Sequence, residues 1–184
     1  MRKISFDVSY HFDYRLHDIP NSPAQMQQAV NFLQSEFNKS SHDLNQQIYL
    51  AGLIGVYARM LHNFKTSEQA LNTALQLCDR IEDRRFKIAN SIRIAHLYQW
   101  HQQYELSEAL FDEILKQCKS DSNLTSYLDF AYQHVGKCKF DRDKYEEARH
   151  CFDLALELRQ QKGDRSLIDS TKLALKVVQQ RLNH

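Results

Sequence analysis

The chain has little of what interrupts helices and no segment long enough to span a membrane. Its 184 residues include only two prolines and four glycines, and both prolines, Pro20 and Pro23, lie in one short segment. No apolar run approaches the ~20 residues that a transmembrane helix needs. We therefore expect a mostly helical protein with no membrane partner and with one clear boundary near residue 20.

The chain also lacks an excess of charge of either sign. Its formal net charge is +1 at pH 7, so bulk electrostatics favours neither nucleic acid nor an anionic membrane as a partner. The first ten residues, MRKISFDVSY, lack the apolar middle of a signal peptide. We therefore expect a cytoplasmic protein, whose four cysteines are free thiols in that compartment.

Patterns that carry chemistry are missing as well. The sequence contains no CxxC pair, no HExxH and no glycine-rich phosphate loop. Cys78 and Cys118 occupy equivalent positions 40 residues apart, which predicts a shared packing role. We therefore expect no enzymatic activity, no cofactor and no metal site.

What the sequence does contain is one pattern in three copies. A small residue is followed at helical spacing by a large apolar one and then by a third residue that is usually small. The copies are Ser67–Leu71–Ala74, Ser107–Phe111–Ile114 and Ala148–Phe152–Ala155, preceded by the large–small pairs Ile54–Gly55, Ile94–Ala95 and Val135–Gly136. The copies advance by 40 and then 41 residues. Such a period indicates pairs of helices that stack on one another.

These residues resemble the tetratricopeptide repeat. The best match runs from Tyr132 to Leu158, where Val135–Gly136, Tyr145, Ala148, Phe152 and Ala155 follow the family pattern. The resemblance covers roughly residues 44–160. The period exceeds the family's usual 34 residues, and the usual proline is absent, as in the extended variants. The resemblance implies an all-α, right-handed solenoid of helical hairpins, in which the first helix of each pair lines a concave groove.

The predicted organisation has two parts. Residues 1–20 form an extended or β arm, and residues 21–184 form the solenoid. Within the solenoid we expect a helix over 23–38, repeats over about 42–82, 83–121 and 122–163, and a capping helix over 165–182. Ser22 with Gln25 predicts a capping box, Ser40 or Ser41 is expected to cap the second helix, and Gly163 is expected to end the seventh.

The groove positions implied by the resemblance have a basic and aromatic character. The candidate partner-binding residues are Arg59, Arg93, His96, Trp100, His134, Lys137 and Phe140. Arginine and tryptophan are types that carry much of the binding energy at interfaces. We therefore expect a non-enzymatic scaffold that binds a protein or peptide, with acidic partners among the candidates. A peptide-sensing regulatory protein is a less favoured alternative, because no helix-turn-helix module precedes the repeats.

The first sixteen residues show a different period. Apolar residues alternate with polar ones from Ile4 to Leu16, and the apolar set includes Phe6, Val8, Tyr10, Phe12 and Tyr14. Period two with many aromatic residues predicts a β-strand, for which we find no second strand in the chain. A lone strand needs a partner, so the alternative function is a homo-oligomer in which the arms of two subunits pair. A locally docked arm, or an arm that fills the groove, stays open as well.

Overall fold

Eight helices follow a short N-terminal hairpin in the computed structural model, which describes residues 4–40 and 42–183. The helices are α1 (Pro23–Lys39), α2 (Leu44–Met60), α3 (Phe64–Ile81), α4 (Arg84–Trp100), α5 (Tyr104–Ser120), α6 (Leu128–Asp141), α7 (Tyr145–Lys162) and α8 (Arg165–Leu182). A 3-10 turn, Thr125–Tyr127, directly precedes α6. The all-helical prediction is therefore confirmed for the part of the chain after the arm.

The helix ends follow the expected chemistry only in part. Pro23 opens α1 and Gly163, with φ of 75°, ends α7, as predicted. The capping box was wrong, because the Ser22 side chain makes no cap hydrogen bond. The second cap was also misplaced: Asp43 caps α2 by accepting a hydrogen bond from the Gln46 amide at 2.9 Å. Ser41, one of the two predicted caps, lies outside the described residues.

Each helix packs on the next one along the chain, from α1 to α8. In addition α2 contacts α4, and α4 contacts α6. These three helices thus present a continuous surface toward the N-terminal arm, and β2 (Asp18–Pro20) contacts α2. We call the surface formed by α2, α4 and α6 the inner face, and we call residues 4–20 the arm.

The three copies of the sequence pattern make equivalent contacts in the structure. A Cβ added at Gly55 would lie 2.4 Å from Cγ of Leu71, and one added at Gly136 would lie 2.6 Å from Cε1 of Phe152. Ser67 Oγ donates a hydrogen bond to the Gly55 carbonyl at 2.7 Å. Because a side chain does not fit at either glycine, the two helices of a pair approach as closely as the small residues allow.

The turn inside each helical pair also recurs. His62, Gln102 and Asp143 all adopt left-handed backbone, with φ of 57°, 58° and 57°. The residue that follows each of them donates its amide to a carbonyl five residues earlier, as in Asn63 to Ala58 at 2.8 Å. This bond satisfies an otherwise unpaired carbonyl at the end of the first helix. The same corner therefore appears at intervals of 40 and 41 residues.

The prediction of a single unpaired strand is wrong. β1 (Tyr10–Phe12) pairs antiparallel with β2 of the same chain, with His11 opposite Ile19. The Asp13 carboxylate turns the chain between them, accepting hydrogen bonds from the amides of Arg15 and His17, both at 2.8 Å. β1 therefore has a partner strand within the chain, and it does not require a second subunit to pair.

Candidate functional site

A buried carboxylate holds the arm on the inner face. Asp18 of β2 accepts a hydrogen bond from Nη2 of Arg59 on α2 at 2.9 Å, and another from Nζ of Lys137 on α6 at 2.7 Å. All three side chains are almost fully buried. Charge-assisted bonds of this kind are about twice as strong as neutral ones. One residue of the arm thus joins α2 to α6.

The single tryptophan lies beside this cluster. The guanidinium carbon of Arg59 is 4.5 Å from the centroid of the Trp100 ring, and the His17 ring of the arm stacks on the same indole at 4.5 Å. Trp100 Nε1 donates a hydrogen bond to Nε2 of His96 at 3.1 Å. An indole nitrogen can only donate, so His96 Nε2 accepts and its imidazole is neutral in this arrangement.

A second carboxylate fixes the turn of the arm. Oδ2 of Asp141, at the end of α6, accepts a hydrogen bond from Nε2 of Gln99 at 2.7 Å and lies 3.0 Å from Nε2 of His17. Its Oδ1 lies 3.4 Å from Nε of Arg15. The arm therefore contributes Asp18 to two cations on α2 and α6, and it contributes Arg15 and His17 to the carboxylate of Asp141.

An apolar residue completes the attachment of the arm. Leu16 is 0% exposed and packs in one cluster with Phe140 of α6, Phe152 of α7 and Val178 of α8. Fully burying a leucine side chain stabilises by roughly 1.5–3 kcal/mol. Leu16 reaches this position through left-handed backbone, with φ of 63°. The arm is thus held by an apolar anchor and, two residues later, by an acidic one.

Burial and charge set the protonation of this cluster. Burial alone would raise the pKa of Asp18, but Lys137 and Arg59 outweigh it and hold that pKa well below its ordinary value. Burial lowers the pKa of Lys137, and Asp18 opposes this only in part. Burial also lowers the pKa of His96 and His134 far below 6.5, and nearby cations lower it further. At neutral pH the cluster therefore holds an ion pair network beside two neutral imidazoles.

The structure brings the predicted partner-binding residues together on the inner face, where the arm covers most of them. Arg59, His96, Trp100, Lys137 and Phe140 are buried, whereas Arg93 and His134 are only half-buried. The sequence analysis left open whether this surface is free or filled by the arm. The arm occupies part of it, where Asp18 binds Arg59 and Lys137, His17 stacks on Trp100, and Leu16 packs with Phe140.

The predicted arm residues divide into two groups. Phe6 and Phe12 are half-buried: Phe6 meets Phe32 of α1 with ring centroids 6.2 Å apart, and Phe12 lies 4.0 Å from Nζ of Lys137. Val8 is half-buried too, but Tyr10 and Tyr14 are 49% and 70% exposed. The simple alternation therefore did not separate docked from exposed side chains.

Sequence reasoning missed the residues of the arm that make the polar contacts. Asp18 lies 41 and 119 residues from its two partners, so no local pattern marks it. His17 and Arg15 were likewise assigned no role. The available signal was chemical: three basic positions on the predicted groove, Arg59, Arg93 and Lys137, require counter-charges if they are buried.

No protein-family model matches the chain, and a search of curated proteins finds no significantly similar sequence. Across residues 4–40 and 42–183, no three His, Cys, Asp or Glu side chains lie close enough together to hold a metal ion. Over the same ranges no helix is both long and apolar enough to cross a bilayer. The four cysteines are free, and burial raises the pKa of Cys138 to about 11.

Proposed function

We propose that this chain is a non-enzymatic interaction scaffold of the tetratricopeptide-repeat type. In this proposal α2 to α7 form three stacked helical pairs of a right-handed solenoid, and α8 caps the last of them. The recurring left-handed corners at His62, Gln102 and Asp143 support it, as do the tight contacts at Gly55 and Gly136. The concave side of that solenoid corresponds to the inner face.

The partner that this scaffold binds is an extended segment carrying an acidic residue. The observation behind this proposal is the clamp on Asp18, in which Arg59 and Lys137 from two helical pairs hold one carboxylate at 2.9 and 2.7 Å. The arm is thus a bound segment that happens to belong to the same chain. Leu16 adds an apolar anchor two residues before the acid. The recognised pattern is an apolar residue followed two positions later by an acid, with a ring such as that of His17 between them to stack on Trp100.

A partner segment competes with the arm for the same contacts. Because the arm is tethered, its effective concentration at the inner face is on the order of millimolar. The apparent affinity for a partner is its intrinsic affinity multiplied by the fraction of molecules whose arm is displaced, so it is low while the arm is seated. The arm therefore acts as a built-in competitor, which limits capture to segments that match both anchors.

Peptide binding to full-length variants tests the proposal. A fluorescent peptide of residues 4–22 is titrated into the wild type and into Leu16→Ala/Asp18→Asn, which lacks both anchors of its own arm. We expect the double variant to bind the peptide at least about tenfold more tightly than the wild type, because its arm competes poorly. Fluorescence anisotropy measures the binding.

Matched controls make this result specific. The double variant Asp7→Asn/Tyr14→Ala changes two exposed arm residues and should bind no better than the wild type. A peptide carrying Asp18→Asn should bind the anchor-free variant at least about tenfold less well, because buried cations lose their carboxylate. Equal binding of the two peptides, or no binding to a variant with a native circular dichroism spectrum, would refute the proposal.

The alternative is a homo-oligomer in which the arm of one copy occupies the inner face of another. It uses the same contacts of Leu16 and Asp18, but between subunits. Light scattering separates the two proposals. A monomeric wild type supports docking within one chain, whereas a dimer that becomes monomeric in the anchor-free variant supports exchange.

A further inference from the structure

A chamber lies between the arm and the inner face, beside the Asp18 clamp. Its volume is about 270 Å³, and Asp18 and Tyr10 of the arm form one wall. The remaining walls come from α2, α4, α6 and the 3-10 turn before α6. Tyr10 is 49% exposed and stands at its rim. A space of this size is at the lower end for ligand pockets, so it suits a small molecule.

The chamber is lined by apolar side chains and by one arginine that no described carboxylate contacts. Val56, Ile92 and Phe130 contribute apolar surface. Arg93 also lines the chamber, and its only described hydrogen bond runs from Nη1 to Oδ1 of Asn90 at 2.8 Å. Among the described residues no carboxylate forms an ion pair with Arg93, and the groups that act on its charge are tyrosine hydroxyls and a thiol. Arg93 is thus a half-buried cation without a counter-ion.

The backbone fixes the position of this guanidinium. A Cβ added at Gly52 of α2 would lie 2.1 Å from Nη1 of Arg93, so the guanidinium rests directly against the helix at that glycine. Arg59 is already engaged by Asp18 and Trp100. Arg93 is therefore the group at the chamber wall that is held in place yet has its charge uncompensated.

The balance of charge around the chamber favours an anion. Three cations, Arg59, Arg93 and Lys137, lie beside one carboxylate, Asp18. A buried charge is costly unless it is paired. A dianion is disfavoured, because Asp18 forms part of the same wall. Arg59 and Lys137 share Asp18, so a ligand with one negative charge matches Arg93, the one of these three cations that no described carboxylate contacts.

We propose that the chamber binds a small amphipathic monocarboxylate. Its carboxylate pairs with the Arg93 guanidinium, whose fork geometry suits two parallel hydrogen bonds. Its apolar part occupies the space between Val56, Ile92 and Phe130. His134 also lines the chamber, and its buried Nδ1 has no hydrogen-bond partner among the described residues. This site adjoins the clamp, and its occupation does not require the arm to be displaced.

Titration of the full chain with 3-phenylpropionate tests the proposal, and the neutral 3-phenylpropanamide is the matched probe. Calorimetry is run at constant ionic strength so that general salt effects cancel. We expect saturable binding of the carboxylate with a dissociation constant on the order of millimolar, as ligand efficiency allows for so small a molecule. The amide should bind at least about tenfold less well.

Variants locate the binding. Arg93→Gln should weaken 3-phenylpropionate at least about tenfold, whereas Arg149→Gln, at an exposed arginine of α7, should leave it unchanged. If Arg93→Gln does not fold, Ala89→Leu decides, because it fills the chamber and keeps the guanidinium. Absence of saturable binding, equal binding of acid and amide, or full affinity in a folded Arg93→Gln or Ala89→Leu variant would overturn the proposal.

Discussion

The buried imidazole of His96 should make the stability of the protein fall as the pH drops below about 6.5. Its Nε2 accepts the Trp100 indole N–H at 3.1 Å, so a proton there would face another donor. Burial lowers the pKa of His96 far below 6.5, and Arg59 lowers it further. The unfolded chain, with a histidine pKa of about 6.5, therefore binds more protons than the folded chain, and the free energy of unfolding decreases with decreasing pH.

The size of the effect follows from the same linkage. Below about pH 6, each histidine that stays neutral in the folded state removes about 1.4 kcal/mol of stability per pH unit. His134 lies beside His96, with ring centroids 4.1 Å apart, and its pKa is lowered in the same sense. Together they give up to about 2.7 kcal/mol per pH unit. The lowered pKa of Asp18 does not affect this pH range, because its contribution to the free energy of unfolding is lost only below about pH 4.

Urea denaturation followed by far-UV circular dichroism measures this dependence at pH 7.5, 6.0 and 5.0. His96→Gln keeps an acceptor for Trp100 but cannot be protonated, so the decrease between pH 6.0 and 5.0 should shrink by about 1.4 kcal/mol. His150→Asn, at an exposed position on α7, serves as the control and should leave the decrease unchanged. An identical pH dependence in the wild type and His96→Gln would refute the reasoning.

Two further predictions concern the helical pairs. Phe152→Ala should lower the free energy of unfolding by about 3–5 kcal/mol, because the ring is fully buried against Gly136; a loss below about 1 kcal/mol in urea denaturation would contradict the described packing. Gln102→Gly should raise the free energy of unfolding by about 0.5–1 kcal/mol, because φ of 58° strains a residue with a side chain. The melting temperature should rise with it. Gln103→Gly, at a residue with negative φ, should lower the melting temperature. A lowered melting temperature in both variants would contradict the left-handed turn at Gln102.

The helices were predictable because their signal is local. Small and large residues recur at spacings of three, four and about twelve. In the structure these repeated positions are in contact, as Gly55 is with Leu71 and Gly136 with Phe152. A periodic pattern states which residues face the same neighbour, and the neighbour follows directly in the chain. That is sufficient for the helix bounds, except where a 3-10 turn precedes α6.

The arm was predicted less well because period two does not reveal a turn. The alternation from Ile4 to Leu16 continues through Asp13, whose carboxylate binds two later amides and reverses the chain. An aspartate that can accept such bonds is a turn signal in its own right. Leu16 then adopts a left-handed conformation that no leucine is expected to prefer, and packing among α6, α7 and α8 stabilises it.

The candidate site was half predictable for a physical reason. Residue types on α2, α4 and α6 follow from the repeat, so Arg59, Trp100 and Lys137 could be assigned to one surface. Their partners on the arm could not, because contacts between distant segments depend on how the chain folds back and not on spacing. Because the arm contacts these helices, the surface is partly occupied and is not a free groove.

The stacking of His17 on the indole has a practical consequence. Trp100 is the chain's single tryptophan, and its ring centroid lies 4.5 Å from that of His17 in the arm. Its fluorescence emission maximum should therefore report whether the arm is docked. Lifting the arm exchanges an imidazole neighbour for water, which should shift the emission to longer wavelengths. Stopped-flow mixing could then time the seating and release of the arm in unlabelled protein.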